Sequence, residues 1–324
     1  MERAYKCLNL NDEEVIRICN QYFQGKGSLQ NYELLSGGAV NTTLKVCWAD
    51  EWFVLRLYVR DKNLSSIEKS IYELVQTTVP IPQMLFASSP EELYPFAIFQ
   101  FCEKSHIYDI NKTHSCNLSY DIGSTLAKIH QFHFPQAGLL GKGLKIETLF
   151  EKESSPYLGY CLEHLTPSSL AWQRLGENRA KRVLQFMDEH RNYFPIVCNG
   201  GTLVHSDFKP VNLLWNNKDG LTVLDWEFAH SGNGLLDFGI LLRHFMDFPL
   251  NISSLVEGYE KKGGRLPSNW IQKARITDFV NIIQLLNTQS QRNKLFTSLI
   301  SSVDFTMNHW NQLRKSMEES CLTK

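Results

Sequence analysis

Apolar residues recur along this chain with two different periods, and the change of period divides it. Between Asn31 and Cys102 they come in short alternating or unbroken runs, the pattern of strands; beyond Ser115 they mostly return every third or fourth residue, the pattern of helices. A helix precedes the strands: Asn11-Asp-Glu-Glu14 has the form of a capping box, Val15, Ile16, Ile18, Cys19, Tyr22 and Phe23 make one apolar face, and Gly25-Lys-Gly27 ends it. Strand-like runs flank Leu35-Ser-Gly-Gly-Ala-Val-Asn-Thr-Thr43, and Trp52 to Tyr58 is a strand with one basic residue, Arg56, among apolar neighbours. Ser66 to Leu74 reads as a helix ahead of Val79-Pro-Ile-Pro82, and Phe96 to Cys102 as a buried strand. Ser115 to His133 is helical, with Leu118, Ile122, Leu126 and Ile129 on one face. Gly138 to Phe150 is a loop, Pro156 to Phe194 is mostly helical, and Ile276–Leu286 and Leu295–Trp310 are amphipathic helices.

Length and composition narrow the class. At 324 residues and 43% apolar, the chain can bury a full core. A net charge of −1 gives no electrostatic case for nucleic acid or an anionic membrane as partner. Eight scattered cysteines, without a C-x-x-C pair, read as reduced thiols of a cytoplasmic protein. Met1 to Lys6 has no signal-type apolar segment, and no apolar run approaches membrane-spanning length.

Chemistry concentrates between Leu203 and Gly239. Asn212 to Trp215 and Leu221 to Leu224 read as a hairpin, with Asn216-Asn-Lys-Asp-Gly220 carrying the turn. Such a hairpin returns Asp225 to the end where Asp207 and Asn212 lie. One carboxylate to orient an attacking hydroxyl, with an amide and a second carboxylate as hard oxygen ligands, suits phosphoryl transfer from a magnesium nucleotide.

His205-Ser-Asp-Phe-Lys-Pro-Val-Asn212 resembles the catalytic loop of eukaryotic-like kinases. With Leu224-Asp-Trp-Glu227 downstream, it resembles the aminoglycoside phosphotransferase and choline kinase superfamily, and most of all the hygromycin-type aminoglycoside phosphotransferases. The small residue after His is usually Gly or Ala there and is Ser206 here. The resemblance implies an α+β, two-lobed protein-kinase-like fold: a small β-sheet nucleotide-binding lobe over residues 1–100, a hinge at 101–105, and a larger helical catalytic and acceptor-binding lobe over 106–324. It implies that the glycine turn covers the nucleotide phosphates, with Ser36, Gly37, Gly38, Asn41 and Thr42 contributing; taken alone, the turn reads as an ordinary hairpin. Arg56 becomes the phosphate-pairing cation, straightened by Glu68 in preference to Glu73, and the main chain of Gln100 and Cys102 the contact for the base. Asp207 orients or accepts the hydroxyl proton, Lys209 neutralises the transferring phosphoryl, His205 orients the loop, and Asn212 and Asp225 ligate Mg2+. Asp237 braces the loop backbone. His130 and His133, lacking a nearby third ligand, read as structural.

The implied activity is transfer of the γ-phosphoryl group of ATP or GTP to a hydroxyl of a small, possibly cationic molecule, with an aminoglycoside acceptor and an antibiotic-resistance role favoured. The short segment between Asp225 and Asp237, with no A-P-E after it, leaves little room for a peptide platform and argues against a protein kinase. A metabolic kinase of choline, homoserine or ketosamine type, and a nucleotide-binding pseudokinase, remain open. The acidic candidates for a cationic acceptor (Glu147, Glu163, Asp188, Asp247, Glu257 and Glu260) are interspersed with Lys145, Arg174 and Arg179 and form no acid-only patch.

Overall fold

The computed structural model describes residues 6–35, 40–151, 154–197 and 200–322. They fall into two compact units, one ending at Thr77 and adding Ile81–Glu103 and Gly141–Leu144, the other holding Thr78–Pro80, Lys104–Leu140 and the chain from Lys145 onward. The first contains helix α1 (Asp12–Phe23), strands β1 (Leu29–Leu34), β2 (Thr42–Trp48) and β3 (Glu51–Leu57), helix α2 (Asn63–Val75), and strands β4 (Met84–Ala87) and β5 (Phe96–Gln100). The strands form one antiparallel sheet in the order β1-β2-β3-β5-β4.

The alternation seen in the sequence sorts side chains onto the two faces of this sheet. Leu44, Val46, Trp48, Leu55, Leu57, Phe96 and Ile98 pack with Val15 and Cys19 of α1 as a closed core. Full burial of each such side chain is worth about 1.5–3 kcal/mol. The capping box forms: the Asn11 side chain accepts from the Glu14 N–H, and Glu14 accepts from the Asn11 N–H. On the other face Thr43, Arg56 and Ala97 share one cross-strand row.

The second unit runs β6 (Ser105–His106), α3 (Ser115–His130), β7 (His133–Phe134), β8 (Gly138–Leu140), β9 (Ile146–Leu149), α4 (Pro156–His164), α5 (Leu170–Leu175) and α6 (Glu177–Glu189). It continues through β10 (Gly201–Val204), β11 (Leu213–Asn216), β12 (Gly220–Val223) and β13 (His230–Gly232) to α7 (Leu235–Arg243), α8 (Ile252–Lys261), α9 (Trp270–Thr277), α10 (Phe279–Leu286), α11 (Asn293–Asn308) and α12 (Leu313–Leu322). The fold is therefore α+β, with its larger sheet N-terminal and its helices mostly C-terminal. Two small sheets, β7-β10-β13-β8-β9 and β12-β11-β6, support the functional loops. Helices α3 and α8 meet at Gly123 and Gly258, where a Cβ would lie 1.9 Å from the Leu255 carbonyl and 2.1 Å from the Tyr120 carbonyl respectively.

One expectation needs correction. Residues 138–150 are not a plain loop: Gly138 pairs with Leu149 and Leu139 with Thr148 across β8 and β9. The strands are too short for their alternation to show against the nearby glycines, and Gly138 is glycine because a Cβ would lie 2.1 Å from the Thr148 carbonyl oxygen. The stretch after Pro156 is mostly helical as expected and is divided into three helices, broken before Ser169, which caps α5, and at Gly176, which has a positive φ. Among the described residues Cys7, Cys19, Cys47, Cys102, Cys116 and Cys161 are free thiols, and no helix is long and apolar enough to cross a membrane.

Candidate active site

Strand β10 ends at Val204, and the chain turns sharply through Ser206, whose φ is +65°. A side chain there carries strain of about 1–2 kcal/mol relative to glycine, which explains why a small residue suits the position. The turn is held from below by Asp237, at the start of α7. Its two carboxylate oxygens accept the backbone N–H groups of His205 (2.8 Å) and Ser206 (2.7 Å). His130, at the end of α3, donates to Asp237 from Nε2 at 3.2 Å and meets the Tyr259 hydroxyl through Nδ1 at 3.1 Å. Asp237 is fully buried. Burial pushes its pKa up, but the His130 hydrogen bond and charge, with the His205 contacts, outweigh this and hold the carboxyl below the usual range.

His205 is fully buried against the Trp226 ring. Its Nε2 donates to the Leu224 carbonyl at 2.9 Å and its Nδ1 accepts the Asp207 N–H at 3.2 Å. A carbonyl only accepts and an amide only donates, so these contacts fix the tautomer. The Leu224 N–H in turn donates to the Asn212 carbonyl at 2.9 Å. Asp225 follows directly, with φ +66°, a conformation that Asp tolerates better than most side chains. The returning hairpin pairs Leu213 with Val223, and its turn is closed by the Asn216 side chain accepting from Lys218 and Asp219 N–H. His205, Asp207 and Asn212 are thus linked through hydrogen bonds to one another and to Leu224, and Asp225 is the next residue along the chain from Leu224.

Asp207 stands at the centre. Its Oδ1 lies 2.8 Å from the Lys209 ammonium, and its Oδ2 accepts from Asn212 Nδ2 at 2.8 Å. The same amide nitrogen donates to the Asp207 carbonyl at 2.9 Å. Both amide hydrogens of Asn212 are therefore spent on Asp207, which leaves its carbonyl oxygen as the group that can face a cation. Among the described residues no cluster of three or more His, Cys, Asp or Glu side chains is placed to hold a metal by itself. Glu227 is buried.

In the first unit Arg56 pairs with Glu68 of α2 at 2.9 Å, and Glu68 also accepts the Tyr58 hydroxyl. Burial, then the Glu68 charge, pushes Tyr58 well above its ordinary range. Glu73, the other acid on α2, is exposed and paired with Lys69. Tyr58, just past the end of β3, is a site neighbour that no motif marked, although it lies two residues from Arg56 and so on the same side of the chain.

The remaining expectations divide. Ser36, Gly37 and Gly38 lie outside the described residues. Asn41 is buried. Thr42 is corrected: it is fully buried on the α1 side of the sheet, and its hydroxyl accepts the Leu8 N–H at 3.0 Å, so it is committed inside the unit. The Gln100 N–H donates to the Gln83 carbonyl at 2.9 Å, so a base contact at Gln100 would run through its main-chain carbonyl. Cys102 lies past the end of β5, half-buried. His130 proves structural, buried in the Asp237 anchor, whereas His133 is exposed on β7.

Residues 31–268 match the family model described as "Phosphotransferase enzyme family". No curated protein matches the sequence. Among solved structures, the chain is similar to aminoglycoside phosphotransferase APH(4)-Ia (TM-score 0.65, 16% identity, covering 90% of this chain and 96% of that one). It is also similar to macrolide 2'-phosphotransferase type I (0.64, 12%, 91% and 98%). A third is spectinomycin phosphotransferase APH(9)-Ia with ADP and its antibiotic (0.61, 13%, 92% and 94%).

Proposed function

The chain belongs to the phosphotransferase enzyme family, and from that premise we propose that it moves the γ-phosphoryl group of ATP or GTP to a hydroxyl of a small molecule, an aminoglycoside-type acceptor being favoured. The observation that carries this reading is the fixing of Asp207 between Lys209 and Asn212. The acceptor oxygen attacks the γ-phosphorus as its proton passes to Asp207, and the bond from phosphorus to the leaving diphosphate breaks. Lys209 neutralises charge on the transferring group. Proton acceptance of this kind is worth about 10²–10⁴-fold, and positioning supplies more.

Asn212 and Asp225 fit a magnesium ion: an amide carbonyl and a carboxylate are hard oxygen donors, and Mg2+ commonly takes only one or two protein ligands. Bound there, the ion would neutralise phosphate charge. Arg56, held by Glu68, is the phosphate-pairing cation, with Asn41 helping to cover the phosphates and the main chain of Gln100 and Cys102 meeting the base.

The favoured acceptor class draws on the antibiotic-modifying relatives. One observation supports the second reading, a metabolic kinase of choline, homoserine or ketosamine type. Glu147, Glu163, Asp188, Asp247, Glu257 and Glu260 are all exposed, and Asp247 is engaged by His244 at 2.7 Å. A coupled assay of ADP or GDP release across aminoglycosides, choline and amino alcohols decides between them. Phosphorylation of one acceptor class selects it, and nucleotide binding without turnover on any acceptor refutes the transferase reading.

A further inference from the structure

A cavity of about 650 Å3 opens in the second unit beside the anchor of the catalytic loop. None of His205, Asp207, Asn212 or Asp225 lines it, so it is separate from the phosphoryl-transfer cluster. Its charged lining is of one sign: Lys262, Arg265 and His133 are exposed along it, His130 and Tyr259 form part of its wall, and no aspartate or glutamate among the described residues takes part. The Lys262 and Arg265 side chains meet no carboxylate among the described residues. Six glycines, at positions 200, 201, 232, 234, 263 and 264, leave stretches of the wall as bare backbone. Gly234 could not be otherwise, because a Cβ there would lie 2.5 Å from His130 Nδ1.

The lining selects the ligand class. A divalent cation would need carboxylate oxygens, which are absent from the wall. Phe134, Leu235, Phe238 and Leu266 leave room for an apolar body, and Lys262 and Arg265 at the exposed rim favour one that carries an anionic group. Ammonium, guanidinium and imidazole groups around bare backbone suit an anion, and the volume lies within the range of about 300–1,000 Å3 typical of small-molecule sites. The wall also leads to the machinery. His130 donates to Asp237, and Asp237 accepts the N–H groups of His205 and Ser206. An occupant that presses on His130 is thus two hydrogen bonds from the catalytic loop, and one that presses on Tyr259 is three.

We propose that this cavity is a regulatory binding site for a small phosphate-bearing molecule, coupled to the catalytic loop through His130 and Asp237. The site would sense an anion that is not the transferred group, and its binding step is independent of the reading given to Asp207.

The test titrates inorganic phosphate, by calorimetry, into three forms of the full chain: wild type, the double variant Lys262→Gln/Arg265→Gln, and the double variant Arg56→Ala/Asp225→Asn. Wild type should bind phosphate, the cavity variant at least about tenfold more weakly, and the Arg56/Asp225 variant as wild type does. Lys262 and Arg265 are exposed, so their replacement should leave thermal unfolding unchanged. Absence of binding in wild type, or loss confined to the Arg56/Asp225 variant, would overturn the site. Coupling is read by hydrogen exchange. Phosphate should slow exchange of the His205 and Ser206 amides in wild type, but not in His130→Asn, whose bond to Asp237 is broken. Unaltered exchange in phosphate-saturated wild type would overturn the coupling. Neither readout depends on turnover, so the result stands whether or not the acceptor assay finds a substrate.

Discussion

Arg56 and Asp207 are both held rigidly, but by opposite means. Arg56 sits on a regular strand and is fixed by a side chain on a regular helix, Glu68, with Tyr58 alongside. Asp207 sits on an irregular loop, whose main chain is pinned by Asp237, His205 and Asn212. The strand site gets its shape from the sheet and needs side chains only to aim one charge. The loop site has no ladder to lean on, so buried polar side chains replace one. The loop should therefore be the more sensitive to losing a single supporting group.

The largest effect is expected from Asp237→Ala, which orphans two backbone donors and His130 in a buried setting and should cost about 3–5 kcal/mol. Urea unfolding measures it, and a loss below about 1 kcal/mol would erase the contrast between loop and strand. Glu68→Ala should cost less, about 2–3 kcal/mol, because the Arg56 side chain keeps some contact with water. If turnover is found, its main mark should be a raised nucleotide KM. Tyr58→Phe removes one bond to a charged acceptor and should cost about 1.5–2 kcal/mol in the same unfolding experiment. Ser206→Gly is the smallest: relief at positive φ against greater unfolded-chain freedom leaves a gain of about 0.5 kcal/mol or less.

Acid sharpens the comparison without mutation. Burial holds His230 below its ordinary value of 6.5, so the unfolded chain takes up that proton first and stability falls as pH drops below about 6.5. Asp237 is depressed below 3.8. Its contribution is complete above that value and is lost as pH falls through the lower folded one. Unfolding free energy measured from neutral pH downward should decline in two stages, the upper shared by His230, His106 and His244, all held low by burial, and His230→Gln should lessen only that upper stage.

Much of this was legible in the sequence. Alternation placed Arg56 on a strand, the spacing from His205 through Asn212 marked the loop, and turn chemistry at Asn216–Gly220 brought Asp225 back. What could not be read was whatever depends on main-chain direction. Thr42 alternates onto the inner face of its strand, and the Gln100 N–H is claimed by Gln83, a partner seventeen residues away that no local pattern reveals. The left-handed turns at Ser206 and Asp225 were invisible because neither residue is glycine. Asp237 was marked by the family resemblance as the brace of the loop, but the network that joins it to His130 and Tyr259 spans three distant segments, and those two look like ordinary helix residues.

The most direct test of the site is calorimetric titration of a non-hydrolysable ATP analogue, with and without Mg2+, into wild type, Asp207→Asn and Asp225→Asn. Binding should require Mg2+ in wild type, persist in Asp207→Asn, and be lost or become metal-independent in Asp225→Asn. Magnesium-dependent binding of unchanged affinity in Asp225→Asn would contradict the assignment of Asp225 to the metal and, with it, the reading of this cluster as a phosphoryl-transfer centre.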